Sequence, residues 1–216
     1  MKMKNILIFS CLGLFTSLAT FAESVFVKME TNRGTIMLEL DKEKAPLSVA
    51  NFVQYAKDGY YDGTIFHRVI SNFMIQGGGF DEDLLRKTTR ESIQNEASNG
   101  LKNLKGTIAM ARMGAPHSAT SQFFINVQDN PALDFTGEEN GRTWGYAVFG
   151  KVTAGMDVVN IIRTTATGSN PPFRSDVPIK TMRIEKVTIS DKPFAIEIVP
   201  EEIKTEKKIE SKKADK

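Results

Sequence analysis

Cysteine is nearly missing from this chain of 216 residues: Cys11 is the only one. It sits inside an N-terminal apolar run, so the body of the chain offers no disulfide and no thiolate for catalysis or metal binding. Histidine is almost as scarce. His67 and His117 stand alone, without the clustered spacing of a zinc site. No Gly-x-Ser-x-Gly elbow occurs, and Ser121 has no evident base beside it, which favours a structural role. Gly77-Gly78-Gly79 is followed by Phe80 rather than by a Lys-Ser/Thr pair. The glycines therefore read as a bulge or a tight bend, not as a phosphate cradle. Excess charge of one sign is missing too. The 28 lysines and arginines exceed the 26 acidic residues only by the number in the leader, Lys2 and Lys4. No basic field is left to attract nucleic acid or an anionic lipid surface.

What is present begins with that leader. Met1-Lys2-Met3-Lys4 is basic, Ile6 to Phe21 is almost uncharged and apolar, and Thr20-Phe21-Ala22 places small residues before Glu23. These three parts predict a secretory signal peptide over 1–22, removed before Glu23. An uncleaved anchor is the alternative, the apolar run being near the lower limit for spanning a bilayer. A lipid anchor on Cys11 fails because too little apolar segment precedes it. Cleavage removes Cys11, and a cysteine-free mature chain suits an oxidising compartment. From Asp191 the chain turns rich in lysine and glutamate, with little apolar content. That composition predicts a solvated, disordered tail over 191–216. Residues 23–190 remain for one domain of ordinary size.

Within that domain, Ser24 to Leu40 alternates around Asn32-Arg33-Gly34, with Val25, Val27 and Met29 before the turn and Ile36, Leu38 and Leu40 after it. Period-two alternation about a turn predicts a hairpin. Pro46 opens a helix whose buried stripe is Val49, Phe52, Val53 and Ala56, with Gly59 as its stop. Two short strands follow over 66–80. The polar stretch 81–104 lacks periodicity and reads as a long surface excursion. Strand-like runs return at Thr107–Ala111, Gln122–Val127, Tyr146–Phe149 and Met182–Ser190, with a short helix over Met156–Ile162. No internal repeat is visible. Eight strands, two helices and many glycine-bearing turns predict an all-β-dominated fold, a closed eight-stranded antiparallel barrel capped by two α-helices. In such a barrel the lumen is filled by side chains, so a ligand site lies on the outer wall or rim.

The most informative stretch is Phe66-His67-Arg68-Val69-Ile70-Ser71-Asn72-Phe73-Met74-Ile75-Gln76-Gly77-Gly78-Gly79-Phe80. One arginine and one glutamine stand among aromatic and thioether side chains, and a cationic fork in an apolar patch is costly unless something needs it. Together with Ser121-Gln122-Phe123-Phe124-Ile125, this pattern resembles the cyclophilin family of peptidyl-prolyl cis-trans isomerases. The likeness runs from about Ser24 to Ser190. Asn95-Glu96-Ala97-Ser98-Asn99-Gly100-Leu101 with Gly106-Thr107-Ile108-Ala109-Met110-Ala111-Arg112 looks like the bacterial periplasmic branch. The resemblance implies the barrel and a substrate groove on its outside.

It also implies a reaction that needs neither nucleophile, metal nor cofactor. Rotating an X-Pro bond opposes a resonance barrier of roughly 18–20 kcal/mol. The prolyl nitrogen regains a lone pair as the amide twists, so a catalyst must bind the twisted form better than either planar one. An apolar cup for the ring and a fixed donor aimed at the amide meet that need. By the resemblance, Arg68 is the donor, and Gln76 holds the guanidinium and contacts the substrate backbone. Phe73, Met74, Phe124 and Leu133 form the cup. Ala111, the Arg112 backbone and Gln122 lie along the substrate, and Tyr146 supplies a hydroxyl near the rotating carbonyl. His67 reads as a packed, hydrogen-bonded residue.

Two positions depart from many eukaryotic members. Ala132 stands where they have a tryptophan, which implies weak cyclosporin binding, and Tyr146 stands where they have a histidine. Trp144 lies in an extended loop over 134–145, close enough in sequence to lean over the pocket. The implied partners are proline-containing segments of unfolded or flexible proteins, and the implied location is the periplasm, where a monomer would assist exported proteins in folding. Two other readings stay open: a binding module whose turnover is incidental, and a purely structural barrel.

Overall fold

The computed structural model describes residues 24–195. The predicted leader over 1–22 and the tail beyond residue 195 lie outside the described residues. In chain order the elements are β1 (Val25–Thr31), β2 (Gly34–Leu40), α1 (Pro46–Lys57), β3 (Phe66–Ile70), β4 (Met74–Gly77), β5 (Thr107–Met110) and β6 (Phe123–Asn126). They continue with β7 (Val148–Ala154), α2 (Met156–Arg163), β8 (Thr167–Asn170), β9 (Phe173–Pro178) and β10 (Ile184–Ser190).

The eight expected strands form one antiparallel sheet in the order β10-β1-β2-β7-β5-β6-β4-β3. Its curl brings the edge strands β3 and β10 together, but the expected closure is short of a full ladder. The seam holds a single bridge, Ile65 with Arg183, and hydrogen bonds such as Phe66 N to Met182 O at 2.8 Å and Ile184 N to Thr64 O at 2.8 Å. The sheet is thus a curled, nearly closed barrel. β7 begins later and runs further than the Tyr146–Phe149 segment expected.

Alternation does what the sequence promised in β1 and β2, where Val27, Met29, Ile36, Leu38 and Leu40 are all buried. Both helices press apolar faces into the same lumen, α1 through Val49, Phe52, Tyr55 and Ala56 and α2 through Val158, Val159 and Ile162. Val53, expected in the α1 stripe, is only partly buried, and Tyr55 takes the inward position instead. Phe52 is the hub, with ring contacts to Tyr61, Phe123 and Phe149 at 4.9, 5.6 and 5.5 Å. Each fully buried ring of this kind contributes about 1.5–3 kcal/mol over exposure.

The helix α1 has no side-chain cap of its own at Ala45. Glu96 supplies it from far along the chain, its carboxylate accepting from Leu47 N at 2.9 Å, Ser48 N at 2.8 Å and Ser48 Oγ at 2.7 Å. A carboxylate at a helix N-terminus satisfies orphan donors and complements the dipole. The 81–104 excursion is therefore tied down rather than loose, with a short 3₁₀ turn at Ala97–Asn99.

The hairpin β8–β9 is an addition that sequence periodicity did not show. Its strands are polar, and Phe173 and Val177 anchor it, packing with Ile65, Leu84 and Phe80.

Candidate active site

β4, β5 and β6 have few exposed positions because both of their faces are covered. Ile75, Ile108, Met110, Phe123 and Ile125 fill the lumen. The alternate residues Met74, Ala109, Phe124 and Val148 form a second, smaller apolar cluster, with Phe73, Leu133 and Tyr146 packed on it. Since successive strand residues point to opposite faces, this second cluster is on the outer wall.

Strand register then writes a single row across that wall. Arg68 opposes Gln76, Gln76 opposes Phe124, Phe124 opposes Ala109, and Ala109 opposes Val148. Directly opposite residues share a face, so the guanidinium, the amide and the ring are neighbours although 56 positions of chain separate the first and third. Around the row opens a hollow of about 110 Å³. Arg68, Gln76 and Arg112 give it polar walls, and Phe73, Met74, Ala111, Phe124, Leu133 and Tyr146 the apolar ones. Of the predicted residues only Gln122 is outside this lining, and it accepts a hydrogen bond from Gln76 Nε2 at 2.8 Å.

That bond has a consequence for Gln76. Its amide is engaged with Gln122 rather than with the Arg68 guanidinium. The ion pair of Arg68 is made with Asp176 of β9, Nε to Oδ2 at 3.7 Å. The glycines make room for this arrangement. A Cβ on Gly79 would sit 2.5 Å from Gln122 Cγ, and one on Gly78, at φ +79°, would meet the Phe123 and Tyr61 rings at 2.8–2.9 Å. The glycine run is accordingly a close-approach turn.

Arg112 contributes more than its backbone. Its guanidinium lies 4.5 Å from the centre of the Tyr146 ring and donates to Gly145 O at 3.0 and 2.8 Å and to Gly141 O. It clamps the loop 134–145 to the edge of the hollow and seats Tyr146, whose ring meets Phe124 edge-on at 5.6 Å. Trp144 is packed between His117 and Phe135 at 4.7 and 5.6 Å, and the walls of the hollow do not include it.

Behind the cup lies a polar network that sequence reasoning missed. Asn130 Nδ2 donates to Phe73 O at 2.9 Å and to Asn126 Oδ1 at 2.7 Å, while Asn103 Nδ2 donates to Leu133 O at 3.0 Å. Asn126, Asn130 and Asn103 are 0%, 5% and 1% exposed, so these bonds hold Phe73 and Leu133 in a low-dielectric setting. Asparagines near turns are too common for the sequence to single them out.

His67, next to Arg68, points the other way from it. It is buried between Phe80 and Phe173, ring centres 4.6 and 5.4 Å away, and its Nδ1 has no hydrogen-bond partner. The expected packing is present, and the expected hydrogen bonding is met by a backbone bond to Ile65, while Nδ1 is left unpaired. Burial lowers its pKa to about 4, with the Arg68 charge adding to the effect and a backbone bond to Ile65 opposing it. The Ser121 hydroxyl donates to Tyr60 Oη at 3.2 Å.

A larger cleft of about 430 Å³ lies between the 41–44 turn, residues 101–104 and the start of β7. Size does not select the site. Of the two, the smaller hollow is the one that sets two arginines and a glutamine beside an apolar cup. Among the described residues no group of three or more His, Cys, Asp or Glu is placed to hold a metal ion, and no helix is long and apolar enough to cross a membrane.

Known proteins are similar to this chain in sequence and in fold. Residues 26–189 match the family model for cyclophilin type peptidyl-prolyl cis-trans isomerases. The chain is 53% identical over 165 residues to peptidyl-prolyl cis-trans isomerase B of Escherichia coli strain K12, covering 76% of this chain and 99% of that protein. It is 55% identical over 164 residues to the isomerase cyp18 of Streptomyces antibioticus, covering 76% and 97%. Among solved structures, a Cryptosporidium parvum cyclophilin type isomerase is similar at TM-score 0.62 and 29% identity, with 79% of this chain and 99% of that one covered. The same parasite protein solved in the presence of the dipeptide Ala-Pro gives TM-score 0.61, with 76% and 98% covered. A curled eight-stranded sheet, an arginine in register with an apolar cup on its outer wall, and these relatives lead to one conclusion: the chain is a peptidyl-prolyl cis-trans isomerase of the cyclophilin family.

Proposed function

We propose that the hollow is where the rotating X-Pro bond is held, and that Arg68 and Gln76 are its catalytic residues. The observation that carries this reading is the cross-strand row, which sets the Arg68 guanidinium beside a cup of Phe73, Met74, Phe124 and Leu133. At about 110 Å³ the hollow suits one ring, being smaller than the roughly 300–1,000 Å³ of a cofactor or drug-sized site. The parasite relative crystallised with Ala-Pro supports proline as the ring.

The proline ring enters the cup, and the carbonyl before it turns in the open part of the hollow. Arg68 donates to the prolyl nitrogen as its lone pair returns. That bond is strong only in the twisted state, which is the condition for lowering the barrier. Gln76, steadied by Gln122, meets the substrate backbone together with Ala111 and the Arg112 main chain, and Tyr146 offers its hydroxyl to the carbonyl. No proton leaves the protein, so turnover requires no general base.

Arg68→Ala tests the assignment in a cis-to-trans assay on an Ala-Pro peptide. Loss of a positioned donor of this kind costs about 10²–10³-fold in rate, while peptide binding weakens modestly. Equal loss of both would favour a peptide-binding module instead.

The cellular setting belongs to the same proposal. The leader over 1–22 directs export to the periplasm, residues 23–190 form the isomerase domain of a monomer, and residues 191–216 are a charged extension. The clients are exported proteins folding through slow X-Pro steps. N-terminal sequencing of protein from the periplasmic fraction should begin at Glu23. Recovery of the full-length chain in the cytoplasm would sink this part and leave the catalytic assignment standing. Ala132, exposed at the rim, accords with weak cyclosporin inhibition.

A further inference from the structure

The β8–β9 hairpin lies along β3 and brings one carboxylate to the edge of the hollow. Asp176 Oδ2 is 3.7 Å from Arg68 Nε, and this is the ion pair of Arg68 among the described residues. The hairpin is not free to wander. Phe173 packs on His67 at 5.4 Å and edge-on against Phe80 at 5.0 Å, and the neighbouring Val177 is buried with Ile65 and Leu84. Asp176 itself takes φ +67°, in the left-handed region that residues other than glycine rarely enter. Such a conformation persists only where its surroundings impose it. Here the reversal carries the carboxylate toward β3 between two anchored residues.

A guanidinium has five N–H donors in a rigid fork. Gln76, on the neighbouring strand, donates through Nε2 to Gln122 at 2.8 Å, and no side-chain hydrogen bond joins it to Arg68 among the described residues. With the side chain of Arg68 still 41% exposed, a free guanidinium would sample several rotamers over the hollow. A carboxylate against Nε takes up one edge of the fork and leaves the terminal N–H groups for a substrate.

We propose that Asp176 is a positioning residue for isomerisation, holding Arg68 by its Nε edge so that the remaining donors face the hollow. This inference rests on the catalytic assignment of Arg68 made above.

The test is a double-mutant cycle on the mature enzyme with a proline tetrapeptide, reading kcat and KM separately. Asp176→Asn keeps the shape and tolerates the left-handed backbone. Asp176→Gly removes the side chain and relieves the conformation, so neither variant should melt earlier than wild type. A half-exposed pair of this kind is modest in strength, so each variant should lower kcat about threefold to fivefold, with KM within about twofold. At 1 M salt wild type should fall toward the Asp176→Asn value, because exposed charges are screened. In an Arg68→Ala background the same substitutions should change nothing. Full kcat in both Asp176 variants, with Arg68→Ala inactive, overturns this inference alone. An equal fold-loss with and without Arg68 also overturns it, as a merely structural effect would give that result. Full activity of Arg68→Ala overturns the catalytic assignment and this inference with it.

Discussion

Acid should weaken this fold through His67, and the size of the effect follows from its burial. The imidazole is 2% exposed, lies between Phe80 and Phe173, and has its pKa lowered from 6.5 to about 4 by desolvation first and the Arg68 charge second. The sign is set by proton binding. Between these two pH values the unfolded chain holds a proton on this ring and the folded chain does not, so lowering the pH favours unfolding. The stabilising contribution is complete above pH 6.5 and disappears as pH falls toward 4. Over the whole window it amounts to about 3 kcal/mol, of which about 2 kcal/mol is gone by pH 5. Urea titrations of the mature chain at pH 7 and pH 5, repeated on His67→Phe, isolate the effect, because carboxylates titrating in the same range cancel between the two proteins. A phenyl ring suits a site already formed by two others, and Nδ1 there has no partner to lose. Wild type should lose about 2 kcal/mol more than the variant on acidification. The reasoning is refuted if both proteins lose the same amount.

Two further substitutions probe how the site and the first helix are held. Gly79→Ala should push the Gln122 side chain, whose Cγ would be 2.5 Å from the new Cβ, off its bond to Gln76. The backbone there is not left-handed, so stability should shift by less than about 1 kcal/mol, while kcat/KM falls about threefold to tenfold, in line with one lost hydrogen bond. An unchanged rate would show that the Gln76–Gln122 contact is irrelevant to turnover. Glu96→Ala removes the acceptor for Leu47 N, Ser48 N and Ser48 Oγ and should lower stability by about 2 kcal/mol. Thermal melts decide it, and a loss below about 0.5 kcal/mol would mean water caps the helix equally well.

Much of this protein could be read from its residues because the local signals agree with one another. Alternation about Asn32-Arg33-Gly34 and the spacing after Pro46 each state a structure through nearest neighbours in the chain, and both elements form, with Tyr55 in place of Val53 in the buried stripe of the helix. Arg68 and Gln76 drew notice as a cation and an amide among rings and thioethers, and the likeness to the cyclophilin family named the rest of the hollow, including Ala111, Arg112, Leu133 and Tyr146. β6 shows where such reading falters. Phe123, Phe124, Ile125 and Asn126 are all buried, so no period distinguishes the residue that fills the lumen from the one that forms the cup.

What only the tertiary structure decided are the pairings between distant segments. Glu96 caps a helix nearly fifty positions earlier, Asn103 and Asn130 hold Leu133 and Phe73 from behind, and the polar β8–β9 hairpin delivers Asp176 to Arg68. Gln76, read as the partner of that arginine, bonds Gln122 instead. Each of these choices depends on how strands and loops pack in three dimensions, which brings residues far apart in the chain into contact. Composition and local spacing supply the groups, but the curl of the sheet determines which of them meet.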